Sequence, residues 1–462
     1  MLTLNIMSRE RLADFETPVS AYVKLCRNQR DSFLLDSVET KEISGRYSII
    51  AYDPILQLEL HHDRVVQTGE HGELIRPAES FFNILRDSVN HFRAQFPSEW
   101  PAVGSLMGFI GYDAVRLIEK LGAAPPATIP CARLVFPSRF VVFDHLRRTM
   151  VLVALGTTES GCASKLREME AALRRPLVRE VRGGSFTLSV PDRNGFCTAV
   201  LHAKEYIRAG DIFQVVLSDE FHGETDVEPF QVYRQLRVMS PSPYMFFLDF
   251  GEYQLLGASP ETLVKVNQGL VTIRPIAGTR ERSGDIRRDQ ELEQELLGSE
   301  KESAEHLMLV DLARNDVGRV AQYGSITVEP FRIVERYSHV MHIVSQVQGR
   351  LRPDVDAIDA FIAGFPAGTV SGAPKVRAME IIDELESKER GPYAGAVGYF
   401  GPNGVMDTCI AIRTVFFQGS RFTIRVGAGI VADSIPEMEY KEIQNKAAQS
   451  LLALERAAKG EP

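Results

Sequence analysis

Cysteine is scarce in this 462-residue chain. There are five, at positions 26, 131, 162, 197 and 409, and none forms a C-x-x-C pair. An odd, scattered set argues against a disulfide framework and against a zinc site, and favours a reducing cytoplasm. Basic charge is also short. Lys and Arg total 52 against 61 Asp and Glu, a net charge of −9. That excludes the broad basic footprint a nucleic-acid backbone requires, while leaving room for a local pocket that holds a small anion. No run approaches the ~18 consecutive apolar residues of a membrane span. The opening residues lack the basic start and long apolar core of a secretory signal. No repeat recurs at a 20–50-residue period.

What is present divides into two segments, 1–187 and 188–462, joined near the Gly-containing connector 181–185. The first holds alternating strands such as Leu56–Leu60 and Phe140–Asp144, a Pro-rich stretch at 123–130 and a charged helix at 163–175. The second is rich in hairpin signals: Val264–Val266 with Leu270–Ile273, Tyr399-Phe400 with Val405-Met406, and Ile410–Phe417 with Phe422–Val426. Strands joined by short turns must run antiparallel. Helices are expected at about 196–209, 289–315, 374–386 and 436–457. Hairpins interleaved with helices, without βαβ alternation, read as α+β.

Several segments could carry chemistry. Ser299-Glu-Lys-Glu302 and Ser434-Ile-Pro-Glu437 both match a capping box, and the acidic residues after them could simply form a solvated face. The pairs Glu302/Glu305 and Glu439/Glu442, however, each place two carboxylates three residues apart on one helix face. Two such faces opposed would suit Mg²⁺. Lys446, four residues past Glu442, could pair with it or reach a substrate. Gly427-Ala-Gly429-Ile-Val-Ala432 mimics a dinucleotide fingerprint, but too little chain follows for a βαβ unit. Its glycines fit better as backbone that approaches a small anion. Gly368–Lys375 lacks the Gly-Lys-Ser/Thr of a phosphate loop. It reads as a tight loop-to-helix connection or, with Pro374 at the helix start, as an N-terminal anion pocket. His342, with His339 on an apolar strand, fits a core histidine as well as a functional one. The 311–316 run, ending in Asn315-Asp316, fits a polar helix end.

Longer motifs restrict the choice. Gly210-Asp-Ile-Phe-Gln214, Pro241-Ser-Pro243-Tyr244-Met245, Gly257-Ala-Ser-Pro-Glu261, Pro275-Ile-Ala277-Gly278-Thr279-Arg280, Lys301–His306, Val310–Asp316, Phe365–Lys375 and Gly427-Ala428-Gly429 follow one another over about 200–450. In this order they resemble the chorismate-utilising enzyme family, and within it the anthranilate-forming branch. Leu34-Leu35-Asp36-Ser37 and Gly45–Ser48 extend the match into the first segment, with Asp36 where the family usually has Glu.

The resemblance implies two antiparallel β-sheets packed as a sandwich with helices outside. It implies that chorismate and ammonia become anthranilate and pyruvate, the first step towards tryptophan, or a step of secondary metabolism. Glu305 and Glu442 would bind Mg²⁺, with Glu302 and Glu439 close by. Glu261 would be the general acid for the departing hydroxyl, and His342 would serve the loss of pyruvate. Tyr393, Arg413 and the backbone of Gly427, Ala428 and Gly429 would bind carboxylates, while Gly278, Thr279 and Thr369 would line the pocket. Water-adding members carry Lys where this chain has Gln214, a neutral amide that cannot serve as base. Aminodeoxychorismate-forming members carry a nucleophilic Lys where this chain has Ala277. Both positions favour ammonia and anthranilate. No glutaminase motif is visible, so a separate glutamine amidotransferase subunit should supply the ammonia. Ser37, Pro243, Tyr244 and Met245 match the family's tryptophan pocket and imply feedback inhibition by tryptophan.

Overall fold

The computed structural model describes residues 2–27, 29–37, 45–70, 72–97, 99–100, 102–122, 129–177, 182–337 and 340–461. Positions 123–128 of the Pro-rich stretch, 181 of the connector and His339 lie outside them.

The fold is α+β, and nearly all strand pairing is antiparallel. The short turns explain why. Lys265–Asn267 pairs with Leu270–Thr272 across Gln268-Gly269, both at positive φ (49° and 73°). That is the backbone a two-residue hairpin turn demands. The expected strands 56–60 and 140–144 are parts of longer ones, Tyr47–Leu60 and Ala132–Asp144, which lie side by side. The expected strand Ile410–Phe417 is two, Met406–Ile410 and Thr414–Gln418.

The expected sandwich of two separate sheets is not what the hydrogen bonds draw. Among the described residues, twenty strands join into one closed hydrogen-bonded network, with a three-stranded sheet beside it. The joins that sequence reading missed are long-range. Ser32–Asp36 pairs with Tyr244–Asp249, and Leu106–Ile110 pairs with Ala396–Phe400. Strands of the first and second segments therefore share one sheet.

Side chains alternate across that sheet, as a period of two requires. Phe33, Phe246 and Leu248 join one apolar cluster, while Leu34, Met245 and Phe247 join another. The second cluster is closed by helices, including Arg193–Ala209, Pro229–Met239, Lys375–Leu385 and Pro436–Ala458.

Two helix expectations need correction. The single helix 289–315 is two, Ile286–Gly298 and Glu300–Gly318. Ser299 ends one and caps the next, accepting the Glu302 N–H at 3.3 Å. At the second acidic start Ser434 is no cap. Pro436 sits in the first turn, Ile435 precedes it, and the Ser434 hydroxyl instead accepts the Val431 N–H at 3.0 Å. Among the described residues no helix is long and apolar enough to cross a membrane.

Candidate active site

Glu261 lies in the bend between the strands Tyr253–Ser259 and Thr262–Asn267. Its carbonyl accepts the Ile410 N–H at 3.0 Å, which fixes the bend to the next strand pair. The side chain is buried, and burial pushes its pKa up to about 8. Three neighbours oppose that rise: the Thr369 hydroxyl and the charges of Arg413 and Lys446. Thr369 Oγ1 is itself buried and meets no partner at good hydrogen-bonding geometry, so it is available to a ligand in the same space.

Arg413 enters that space from the segment between Ile410 and Thr414. Its backbone sits at φ 51°, uncommon for a non-glycine residue and the kind of strain that collects at functional sites. Ala394, beside Tyr393, is at φ 63°, and its N–H donates to Ala411 O. The two turns that carry Tyr393 and Arg413 are thus tied together. Burial holds the guanidinium below its ordinary pKa, Glu261 opposes this, and no hydrogen bond or ion pair occupies the fork among the described residues.

His342 lies on the strand Val340–Val344, opposite Thr279. Nδ1 is 2.9 Å from Gly278 O and 3.1 Å from Thr279 Oγ1. Burial pushes its pKa down to about 4, so the ring is neutral near pH 7. A proton on Nδ1, donated to Gly278 O, leaves the Nε2 lone pair free. Tyr337 stands edge-on to the ring at 5.6 Å. Gly278 is at φ 64°, and a Cβ there would lie 2.9 Å from Glu302 Oε2. The backbone that holds His342 therefore runs directly beneath the first acidic helix.

Gln214 begins the strand Gln214–Glu224, and the glycines Gly427 and Gly429 lie on its partner, Arg421–Ile430. The glycines are steric necessities. A Cβ at Gly427 would meet Tyr393 Oη at 2.5 Å, and one at Gly429 would meet Gln214 Nε2 at 2.5 Å. The far edge of this strand is covered by Thr414–Gln418 only as far as Ile424, so no described strand covers that edge at residues 427–429. Gln214 Oε1 is buried without a partner. Lys446 does both things its spacing allowed. Its ammonium donates to Glu442 at 2.7 Å and to Gly427 O at 2.9 Å.

The four predicted metal ligands lie at the starts of Glu300–Gly318 and Pro436–Ala458. Burial and the charges of Glu302 and Glu442 raise the Glu305 pKa. Burial, with Glu442, raises that of Glu439. The two faces therefore do confront each other across helices. They are not gathered around a point: among the described residues no three acidic, His or Cys side chains converge as for a metal. Glu302 takes Arg280 at 3.3 Å, and Glu442 takes Lys446.

Tyr244 and Met245 begin the strand Tyr244–Asp249, which pairs with Ser32–Asp36 with Met245 opposite Asp36; Pro243 comes just before the one strand and Ser37 just after the other. Asp36 is occupied by Ser48 Oγ at 2.5 Å and Arg237 Nε at 2.6 Å. The Tyr244 hydroxyl reaches Asp407 at 2.9 Å and Thr262 at 3.0 Å, next to Glu261.

Sequence reading missed a buried charge cluster behind Tyr393, made by Glu386, Arg390 and Arg425. The i,i+4 spacing of Glu386 and Arg390 was visible, but that spacing ordinarily marks an exposed pair. Asp316 does lie in the last turn of its helix, Glu300–Gly318, as the polar run suggested, but its ion pair was not foreseen. Its carboxylate pairs with Lys375 at 2.8 Å, joining two helices.

The chorismate binding enzyme family matches residues 30–452. Anthranilate synthase component 1 of Acetivibrio thermocellus is 43% identical, over 98% of this chain and 95% of its own length. Its counterpart in Cereibacter sphaeroides is 45% identical, over 96% and 93%. The crystal structure of anthranilate synthase component I from Streptococcus pneumoniae superposes with a TM-score of 0.80 at 37% identity, covering 95% of this chain and 99% of that one.

Proposed function

The chain belongs to the chorismate-binding enzyme family, and from that premise we propose how its own residues turn chorismate into anthranilate. The observation that carries the reading is Glu261. It is a buried carboxyl pushed up to about 8, beside the Thr369 hydroxyl and an arginine fork that meets no partner among the described residues.

A carboxyl with that pKa keeps its proton near pH 7. It can hand the proton to a departing ring hydroxyl, which would otherwise have to leave as hydroxide. Arg413 and the Tyr393 hydroxyl are the donors for the substrate's carboxylates, joined by the open backbone edge at 427–429. Ammonia enters as the hydroxyl leaves. The Nε2 of His342 then takes the ring proton as the pyruvate enol departs, which makes the ring aromatic. Gln214 cannot deprotonate water, so it gives water no help as a rival nucleophile. Ala277 offers no nucleophile for a lysine-type mechanism.

Mg²⁺ is part of the proposal. An all-oxygen donor set whose like charges raise one another's pKa fits a hard cation. Glu305 and Glu442 would hold it, with Glu302 and Glu439 nearby. When bound it would supply positive charge to a substrate carboxylate. A glutamine amidotransferase subunit as the ammonia source and tryptophan as inhibitor at Ser37, Pro243, Tyr244 and Met245 complete the reading. Ser37→Phe should relieve inhibition by tryptophan with basal turnover intact.

The test is direct. The purified chain with chorismate, Mg²⁺ and ammonium salt should generate the near-ultraviolet-to-blue fluorescence of anthranilate, and with glutamine alone it should not. No signal with ammonium salt would defeat the reading.

A further inference from the structure

One buried guanidinium, Arg390, touches three chain segments that each carry a site residue. Nη1 donates to Val370 O at 2.7 Å, one residue past Thr369. Nη2 donates to Val216 O at 2.7 Å, two residues past Gln214. Its cationic plane lies 5.7 Å from the ring centre of Tyr393 and 4.7 Å from that of Tyr112. Nε and Nη2 are anchored in turn on Glu386 at 2.9 and 2.6 Å. Glu386 also takes the Ser218 N–H at 2.7 Å and Arg425 Nη2 at 3.0 Å.

We propose that Arg390 is a positioning residue. Resting on the reading above, it sets the Tyr393 hydroxyl and the Thr369 hydroxyl where chorismate needs them, and it does so through a planar fork that lysine cannot replace.

Three observations carry this. First, the contacts use four separate N–H directions in one plane, whereas an ammonium has three donors and no plane. Second, tolerance at Tyr393 is small. Its hydroxyl lies where a Gly427 Cβ would be, at 2.5 Å, so a shift of the ring moves it along the backbone edge that would receive a carboxylate. Third, the Arg390 guanidinium lies 5.7 Å from the Tyr393 ring centre, close enough for its charge to act on the phenol. Burial pushes Tyr393 up to about 12, while Arg390 and Arg425 both oppose that rise. A pure stability role would explain the Glu386 pairing. It would not explain a fork spent on two backbone carbonyls beside site residues.

The experiment compares Arg390→Lys with Arg425→Lys, Tyr393→Phe and the double variant Arg390→Lys/Tyr393→Phe. It measures KM and kcat for chorismate with ammonium salt, together with melting temperature. Arg425 belongs to the same buried cluster but bonds Ser218, Glu389 O and Glu386 rather than the segments beside Thr369 and Tyr393. Arg390→Lys should raise KM about tenfold, the factor for one mispositioned hydrogen bond to a charged group, with a smaller fall in kcat. Arg425→Lys should lower the melting temperature comparably but leave KM within about twofold of wild type. Tyr393→Phe should raise KM in the wild type and add little to Arg390→Lys, because both changes remove the same donor.

Equal KM effects in Arg390→Lys and Arg425→Lys, or additive effects of Arg390→Lys and Tyr393→Phe, overturn the proposal. If Arg390→Lys does not fold, Glu386→Gln, which loosens the anchor but keeps its shape, must show the same rise in KM and the same non-additivity with Tyr393→Phe. If Tyr393→Phe leaves the wild-type KM unchanged, the assignment of Tyr393 as a substrate donor falls and takes this inference with it. That result is distinct from one in which Tyr393 matters and Arg390 does not.

Discussion

The floor of the site and its acidic rim are built on opposite plans. On the floor, Glu261 and His342 are each displaced from ordinary acidity chiefly by burial, in opposite senses, and each is fixed by backbone: Ile410 N–H on one side, Gly278 O on the other. On the rim, Glu305 and Glu439 lie in the first two turns of their helices, and like charges on neighbouring carboxylates add to the rise in their pKa. Their neighbours Glu302 and Glu442 are paired with Arg280 and Lys446. Burial stores the floor's protonation states in the fold itself. On the proposed reading, the rim keeps like charges close together, a setting that would favour a cation. An acid and a base of opposite bias can therefore coexist within one pocket, while the charged edge responds to what binds.

The comparison breaks first at Glu261. Glu261→Gln removes the proton donor and should lower kcat by ~10³-fold, within the usual range for a general acid, as measured by anthranilate release. The wild-type rate, divided by free ammonia concentration, should hold below pH 8 and fall above it as the carboxyl ionises near about 8. The variant should lose that limb. Stability carries an independent signature. The folded pKa lies above the ordinary value of 4.5, so the folded chain binds this proton more tightly than the unfolded chain. The cost of a buried charge is then absent below 4.5 and complete above about 8. Glu261→Gln should melt higher than wild type at pH 8.5 and level with it at pH 4.5.

His342→Asn comes next. It should slow pyruvate loss by ~10²-fold, the lower end for a lost general base, with less effect on ammonia entry. The amino intermediate should accumulate on chromatography. Unaltered product formation would return His342 to a plain core role. With a pKa of about 4 the wild-type base needs no deprotonation between pH 5 and 8, so this step should show no acid limb there.

The rim should respond more weakly and differently. Glu442→Gln should raise the Mg²⁺ concentration needed for half-maximal rate at least about tenfold, one ionic ligand's worth. It should leave turnover at saturating Mg²⁺ far closer to wild type than either floor variant does. Full activity in excess chelator would end the metal proposal. The smallest effect belongs to the helix break that sets the rim's place. Ser299→Ala removes the cap and should cost about 1 kcal/mol in denaturant unfolding, with little change in kcat.

Local chemistry was legible in the sequence; long-range geometry was not. The turn at Gln268-Gly269 could be read because two residues of the right type suffice for it. The break at Ser299 was signalled by the capping-box spacing of Ser299 and Glu302, but good helix formers on both sides made 289–315 look continuous. Ser434 looked like a cap because spacing alone cannot show that Pro436 has taken the first turn. The single network replaced two sheets because its seams join residues about 200 and 290 positions apart, such as Phe246 with Leu35 and Val397 with Phe109. At the site, the motifs pointed to Glu261, His342, Gln214 and the glycines, and the fold explains why those glycines have no side chain. Arg390 and Glu386 escaped notice because an i,i+4 charge pair looks alike whether it faces water or is sealed behind a tyrosine.

Those seams decide which pieces of such a chain can be exchanged. A chimera that takes residues before about 187 from one relative and the remainder from another must reproduce two strand registers at once, Leu34 opposite Phe247 and Gly108 opposite Gly398. A slip of one residue would turn Leu34 from one apolar cluster towards the other and carry Ser37 away from Tyr244. Each strand of the seam at Gly108 and Gly398 is also packed tightly on its own segment: a Cβ at Gly108 would lie 2.0 Å from Arg133 O, and one at Gly398 2.1 Å from Asp407 O. Recombination among relatives should therefore succeed with crossovers placed inside one segment's own hairpins and fail at the boundary that looks most natural in the sequence.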